Sequence, residues 1–204
     1  MDKKKKDTAT IINSVFAALF AALISVTNFV ALPAGALGVV PIVMQNMMAV
    51  LSGAVLGGIT GAGAVLLFLT AGILGLPVFA GGTSGVVRLF GPTGGFLAGY
   101  FFGAFIAGLL SGRPRIGEKR NLILIIRISI AVITGNLVIY ILGMTFLALW
   151  ISRSNSIDFT AAIPGAVISG ALPFIPGDVL KIFISVPLAI TLRPIAARYI
   201  NPNE

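Results

Sequence analysis

The sequence predicts an all-α integral membrane protein. It has six spanning helices, both termini in the cytoplasm and a long glycine-rich loop between the third and fourth helices. Three observations predict it. First, hydrophobic residues make up 57% of the 204 and charged residues only 10%. With the 25 glycines counted in, the apolar share is about 69%, against roughly 45–50% in soluble domains, where charged residues reach about 25%. A soluble fold of this size would lack the polar residues to cover its exterior. Second, the apolar residues fall into runs close to the roughly 20 residues that cross a bilayer as a helix. Third, the basic residues collect on one set of the connections between those runs.

The first run covers 10–32 and stops at Pro33. It is too long and too apolar for a signal peptide, and no small-residue cleavage site followed by polar sequence accompanies it. Residues 1–9, with Lys3 to Lys6, precede it as a basic cytoplasmic tail. The second run covers 41–58, and the third 59–76, ending at Pro77. The fourth covers 93–110. The fifth, 121–151, exceeds the bilayer thickness and must tilt or project beyond it. The sixth covers 177–200, with Pro187 as a site for a kink. The stretch 159–175 is apolar but interrupted by Pro164, Gly165, Gly170 and Pro173. It reads as a re-entrant or short extracytoplasmic segment, since irregular backbone at membrane depth requires protein or a cavity around it. No polar linker exceeds about ten residues, so residues 1–204 form a single domain.

Six spans place both termini on one side. Lys3 to Lys6, Arg113, Arg115, Lys119, Arg120, Arg127, Arg193 and Arg198 then share that side, and Arg88, Arg153 and Lys181 take the other. Eleven against three marks the terminal side as cytoplasmic. The net charge of +8 therefore reports topology and not a nucleic-acid partner.

Composition also narrows the chemistry. The chain has no Cys and no His, which removes thiol nucleophiles, His-dependent triads and the usual zinc ligands. Its six acids, Asp2, Asp7, Glu118, Asp158, Asp178 and Glu204, include no pair at helical spacing. No phosphate-binding G-x-x-x-x-G-K-[ST] stretch occurs. The expectation is a protein that is not an enzyme, with no catalytic residues, no metal site and no cofactor.

Four features remain as sites. Residues 75–96 hold seven glycines in 22 positions, together with Thr83 and Arg88. A connection this long is more often functional than passive, and glycine lets backbone approach a ligand closely. Arg88 has no acidic neighbour in sequence and is a candidate anion site. Next, Phe174-Ile-Pro-Gly-Asp178-Val-Leu-Lys181 opens the last helix. Asp178 suits either helix capping or a ligand, and Lys181 follows on the same face. Ionisable residues at membrane depth are functional candidates by default. Third, Gln45 and Asn46 bring two amides to the entrance of the second helix, where they must bond another helix or a ligand. Asn136 faces the same choice. Tyr140 and Trp150 are interface anchors or aromatic pocket walls. Fourth, Ala17/Ala21 and Ala18/Ala22 form a small-residue ridge that admits a close neighbour, from this chain or another. Gly53, Gly57 and Gly61 repeat that spacing and are assigned to internal packing. Arg127, inside the fifth span, snorkels to the surface.

Taken together, Gly75-Leu-Pro-Val-Phe-Ala-Gly-Gly, Gly91-Pro-Thr-Gly-Gly-Phe, Pro173-Phe-Ile-Pro-Gly-Asp-Val-Leu-Lys181 and Pro41-Ile-Val-Met-Gln45 resemble the BioY family. These are the biotin-binding S components of energy-coupling factor transporters. The resemblance runs in order along the whole chain. It implies a six-helix bacterial cell-membrane protein with an extracytoplasmic biotin pocket over its last helices. It implies partners as well: a transmembrane coupling protein and two cytoplasmic ATPases, which topple the S component in the bilayer to release vitamin inward. Asp178 and Lys181 become the ligand contacts, and Ala17, Ala18, Ala21 and Ala22 the docking ridge for the coupling protein. Relatives can carry Asn where this chain has Thr83 and a basic residue where it has Leu97. Thr83 still donates and accepts, whereas Leu97 binds no anion, which leaves Arg88 for the carboxylate. The competing readings are an S component for another vitamin, such as thiamine or riboflavin, a lipid-acting membrane enzyme, and a structural subunit that binds no ligand.

Overall fold

The computed structural model describes the backbone of residues 3–29 and 44–200, and the side chains of 9–28 and 44–200. The described residues fold into α1 (Lys3–Val26), a short 3-10 turn (Thr27–Phe29), α2 (Gln45–Leu56), α3 (Gly58–Ile73), α4 (Val87–Phe90), α5 (Gly94–Ser111), α6 (Leu122–Asn155), α7 (Phe159–Gly170) and α8 (Ile175–Ile200). Among these residues the backbone forms no strand, only an isolated bridge between Phe79 and Thr83.

Four helices, α1, α5, α6 and α8, are long and apolar enough to cross a membrane. With 12 and 16 residues, α2 and α3 are shorter. At 1.5 Å per residue they reach about 18 and 24 Å, less than a hydrocarbon core of about 30 Å. The expected start of the second helix at Pro41 and the stop at Pro33 lie outside the described residues, as do the side chains of Lys3 to Lys6. The outward surface is apolar along most helices, with Ile59, Leu122, Ile123, Ile141 and Phe183 among the exposed side chains. Such a surface suits lipid and not water.

Two expectations change. The backbone is already helical at Lys3, so the basic run opens α1 and is not a separate tail. The stretch 159–175 is no re-entrant loop: most of it is the helix α7, with Pro164 inside. A β-carbon on Gly165 would lie 3.9 Å from Ile151, and one on Gly170 would lie 2.6 Å from Leu147. Lower down, Tyr140 bonds Asp178. The chain therefore descends along α6 without reversing, and α7 and α8 are successive parts of one broken path. Pro173 and Pro176, lacking N–H groups, coincide with the break. Pro187 and Pro194 lie within α8 without ending it.

Glycine permits the tight helix contacts. Gly57, at φ 86°, turns α2 directly into α3. A β-carbon on Gly61 would lie 2.4 Å from the Gly53 backbone, and one on Gly108 would lie 2.3 Å from Gly58. The glycine repeat thus packs α2, α3 and α5 against one another. The alanine ridge divides instead of acting as one surface. Ala17 and Ala21 are buried in the chain's own core at 7% and 9% exposure, while Ala18 and Ala22 face outward. Successive residues sit about 100° apart around a helix, so the two pairs cannot share a face.

The two ends differ in charge. Arg113, Arg115, Lys119 and Arg120 lie between α5 and α6, Arg127 in the second turn of α6, and Arg193 and Arg198 near the end of α8. Phe16 and Tyr199 meet at 6.1 Å, which brings the early part of α1 to the same end. Arg88, Arg153 and Lys181 lie toward the opposite end, with the loop 74–93.

Candidate binding site

Asp178 is the fourth residue of α8, and Lys181 follows one turn later on the same face. Both are buried, at 6% and 8% exposure. The Asp178 side chain does not cap the helix: its hydrogen bonds go to other side chains. Oδ1 accepts from Lys181 Nζ at 2.7 Å and from Asn46 Nδ2 at 3.1 Å. Oδ2 accepts from the Tyr140 hydroxyl at 2.5 Å. Lys181 Nζ also donates to Asn46 Oδ1 at 3.0 Å. Asn46 stands in the first turn of α2 and Tyr140 in the middle of α6, so three helices converge on one ion pair. Each charge is both paired and hydrogen-bonded, the condition for holding charge in a low-dielectric interior.

Beside this cluster lies a cavity of about 130 Å³. Phe79, Phe96, Leu97, Ile139 and Phe174 supply apolar walls, and Tyr100 stands with them. Thr83 and Arg88 line the loop side. The composition is that of a small-molecule site: largely apolar, with a few convergent polar groups. Among the described residues, no three metal-ligating side chains gather at one place.

The glycine-rich loop is a tethered cover. Gln45 Nε2 donates to Val78 O at 2.7 Å and to Ile24 O at 3.3 Å, joining α2 to the loop and to the end of α1. Asn28 donates to Pro77 O at 3.1 Å and accepts from Gly82 N at 2.9 Å. Gly85 N donates to Gly72 O at 2.8 Å. Phe79 seats its ring against Gly72 and meets Phe68 edge-on at 5.6 Å. The short helix α4 rides on top, with Val87 and Phe90 exposed.

Of the six candidate ligand residues, Asp178, Lys181, Asn46, Gln45, Thr83 and Arg88 all line this one cavity. Their present bonds differ. The Gln45 amide nitrogen ties the scaffold. The Thr83 hydroxyl donates to Ala80 O at 3.0 Å. Arg88 is exposed at the rim. Leu97 lines the wall as an apolar residue. Asn136 lies outside the site and donates to Val132 O of its own helix. Trp150 borders a separate shallow groove with Phe90, Phe146 and Arg153.

Sequence reasoning missed Asn28 and Tyr100. No pattern marks Asn28, whose partners are backbone groups some fifty positions away. Tyr100 was legible: Thr93, Phe96, Leu97 and Tyr100 follow the spacing of one helix face, so a motif ending at Phe96 extends one turn further.

The chain is similar to known proteins along most of its length. The model of the BioY family matches residues 1–198. A biotin transporter BioY from Rhizobium etli is 38% identical over 174 residues, 84% of this chain and 87% of that protein. One from Rhodobacter capsulatus is 39% identical over 184 residues, covering 88% and 92%. Among solved structures, the S-component for biotin from an ECF-type ABC transporter superposes with a TM-score of 0.65 at 26% identity, over 95% of this chain and 94% of that one.

Proposed function

The chain belongs to the BioY family, and from that membership we propose its function: it is the biotin-binding S component of an ECF transporter. One observation in the molecule carries the reading. A buried carboxylate–ammonium pair, Asp178 and Lys181, stands at the edge of an apolar cavity under a tethered loop. Biotin has an apolar bicycle, a cyclic urea with two N–H donors and one oxygen acceptor, and a carboxylate on a flexible tail. Asp178 accepts from a urea N–H, and Lys181 donates to the urea oxygen. The apolar wall takes the bicycle. Leu97 offers no charge to the tail, so Arg88 at the rim pairs with the carboxylate.

The membrane arrangement follows from the same reading. Six helices span, with α2 and α3 as the short inner pair and α6 projecting beyond the bilayer. The basic end is cytoplasmic, the pocket opens outward, and the membrane is the bacterial plasma membrane. The asymmetry of the basic residues supports this orientation. Ala18 and Ala22, outward on α1 beside Val15 and Leu19, are the part of the small-residue ridge free to meet a coupling protein. Two cytoplasmic ATPases complete the transporter and supply the energy, since this chain carries no phosphate-binding loop.

Isothermal titration of biotin into the detergent-purified protein tests the reading, with thiamine and riboflavin as controls. Tight, selective heat on biotin is expected. Binding of a control vitamin in place of biotin would keep the fold and transfer the substrate. Folded protein that binds none of the three would leave a structural subunit.

A further inference from the structure

Tyr100 is 5% exposed and lines the cavity. Its neighbours in the wall use their polar groups. Asn46, Tyr140, Asp178 and Lys181 bond one another, Gln45 bonds two backbone carbonyls, and Thr83 bonds Ala80 O. Among the described residues, the Tyr100 hydroxyl has no hydrogen-bond partner. Among the described residues, it is the one nine-tenths-buried polar side chain of the cavity wall without a bond, and its oxygen is not sealed in protein but open to the cavity. A hydroxyl that faces a cavity without a partner in the protein can bond what enters it. A phenylalanine here would fill the same wall without offering a hydrogen bond. The side chain also lies within electrostatic reach of Asp178.

We infer that Tyr100 is a ligand-recognition residue, whose hydroxyl donates to the carbonyl oxygen of a cyclic urea bound between Asp178 and Lys181. This rests on the biotin reading above and extends it. A urea oxygen has two lone pairs. Lys181 Nζ, already held by Asp178 and Asn46, takes one, and Tyr100 Oη takes the other. The oxygen is then gripped from α8 and from α5, while Asp178 reads the N–H edge. A ligand without an acceptor at that position leaves the hydroxyl unsatisfied and is rejected, because a site built to hydrogen-bond discriminates strongly against the analogue that cannot.

The test is Tyr100→Phe in the purified full-length protein, titrated with biotin, desthiobiotin and 2-iminobiotin. Desthiobiotin keeps the urea. In 2-iminobiotin an imine, protonated at neutral pH, replaces the carbonyl and accepts no hydrogen bond. The variant should lose roughly 10- to 100-fold in affinity for both urea ligands, the span for a buried acceptor deprived of its donor. It should lose less than about threefold for 2-iminobiotin. Without ligand, it should melt close to or above the wild-type temperature, because the hydroxyl bonds nothing among the described residues. Unchanged biotin affinity, equal loss on all three ligands, or a lowered melting temperature without ligand would each overturn the assignment. Wild-type protein that binds no biotin would instead overturn the function it rests on.

Discussion

Both ends of α8 carry a buried ion pair, and the two do opposite things. At the pocket end, Asp178 and Lys181 pair beside a cavity. About 22 Å further along the helix, Arg193 pairs with Glu118. Arg193 is fully buried. Its guanidinium donates to both Glu118 oxygens, at 2.8 and 3.2 Å, and to the carbonyls of Ala54, Gly112 and Arg113 at 2.7, 3.2 and 3.1 Å. Five N–H groups meet five acceptors, which exhausts the donors of the side chain. That pair fastens α8 to the end of α2 and to the α5–α6 loop. The pocket pair borders open space and, among the described residues, a hydroxyl with no partner. Buried charge alone does not identify a site. Charge beside a cavity makes a candidate site, and charge sealed by backbone is a fastener.

Substitutions separate the two. Arg193→Met should have the largest effect on stability, about 3–5 kcal/mol, because it leaves three carbonyls without their donor and the Glu118 carboxylate with only the solvated Arg127. Thermal melting of the purified protein should show a pronounced fall. The biotin affinity of the fraction that stays folded should be nearly unchanged. A large loss of affinity at normal melting temperature would mean that the far end of α8 also shapes the pocket.

Asp178→Asn should invert that pattern. It keeps the size but removes the charge and one acceptor for ligand N–H. Biotin affinity should fall roughly 100-fold, the scale for breaking a charge-assisted hydrogen bond in a buried site. Melting without ligand should drop less than for Arg193→Met. If Asp178→Asn bound biotin normally, the pocket pair would be a second fastener.

Arg88→Gln comes next in size. The rim is solvated, so a carboxylate contact there is worth about tenfold in affinity, and less at high salt. Biotin methyl ester lacks the tail charge and should show no difference between wild type and variant. A loss of equal size on the ester would remove Arg88 from the carboxylate role.

The same contrast shows what the sequence could reveal. The all-helical, apolar character and the four long helices were legible, because apolar runs of spanning length leave few alternatives. Asp178 and Lys181 were legible because an i,i+3 charge pair in an apolar run is conspicuous. Asn46 was visible as a costly amide, but its partners lie over 130 positions away and no spacing points to them. Arg193 was counted only as a topology marker. Its acceptors are mostly backbone carbonyls, and these have no signature in side-chain identity. The stretch 159–175 was legible as a short segment but not as a helix, for a related reason. Proline and glycine indicated broken backbone, whereas α6 runs far enough to support a helix beside it, and only the packing shows that.

Arg127→Gln should have the smallest effect and gives the sharpest control. Arg127 Nη2 reaches Glu118 Oε1 at 2.6 Å, the same carboxylate that Arg193 holds, but its side chain is 45% exposed against 0% for Arg193. Snorkelling explains its placement, yet the structure adds a partner to it. An exposed pair is worth about 0–1 kcal/mol because water and salt screen it. Glu118 also keeps Arg193 after the substitution. Melting should therefore shift only slightly, and the shift should vanish in high salt. If Arg127→Gln destabilised as much as Arg193→Met, Glu118 would depend on both arginines together, and this end of α8 would hold a three-charge network in place of one sealed pair with a solvated neighbour.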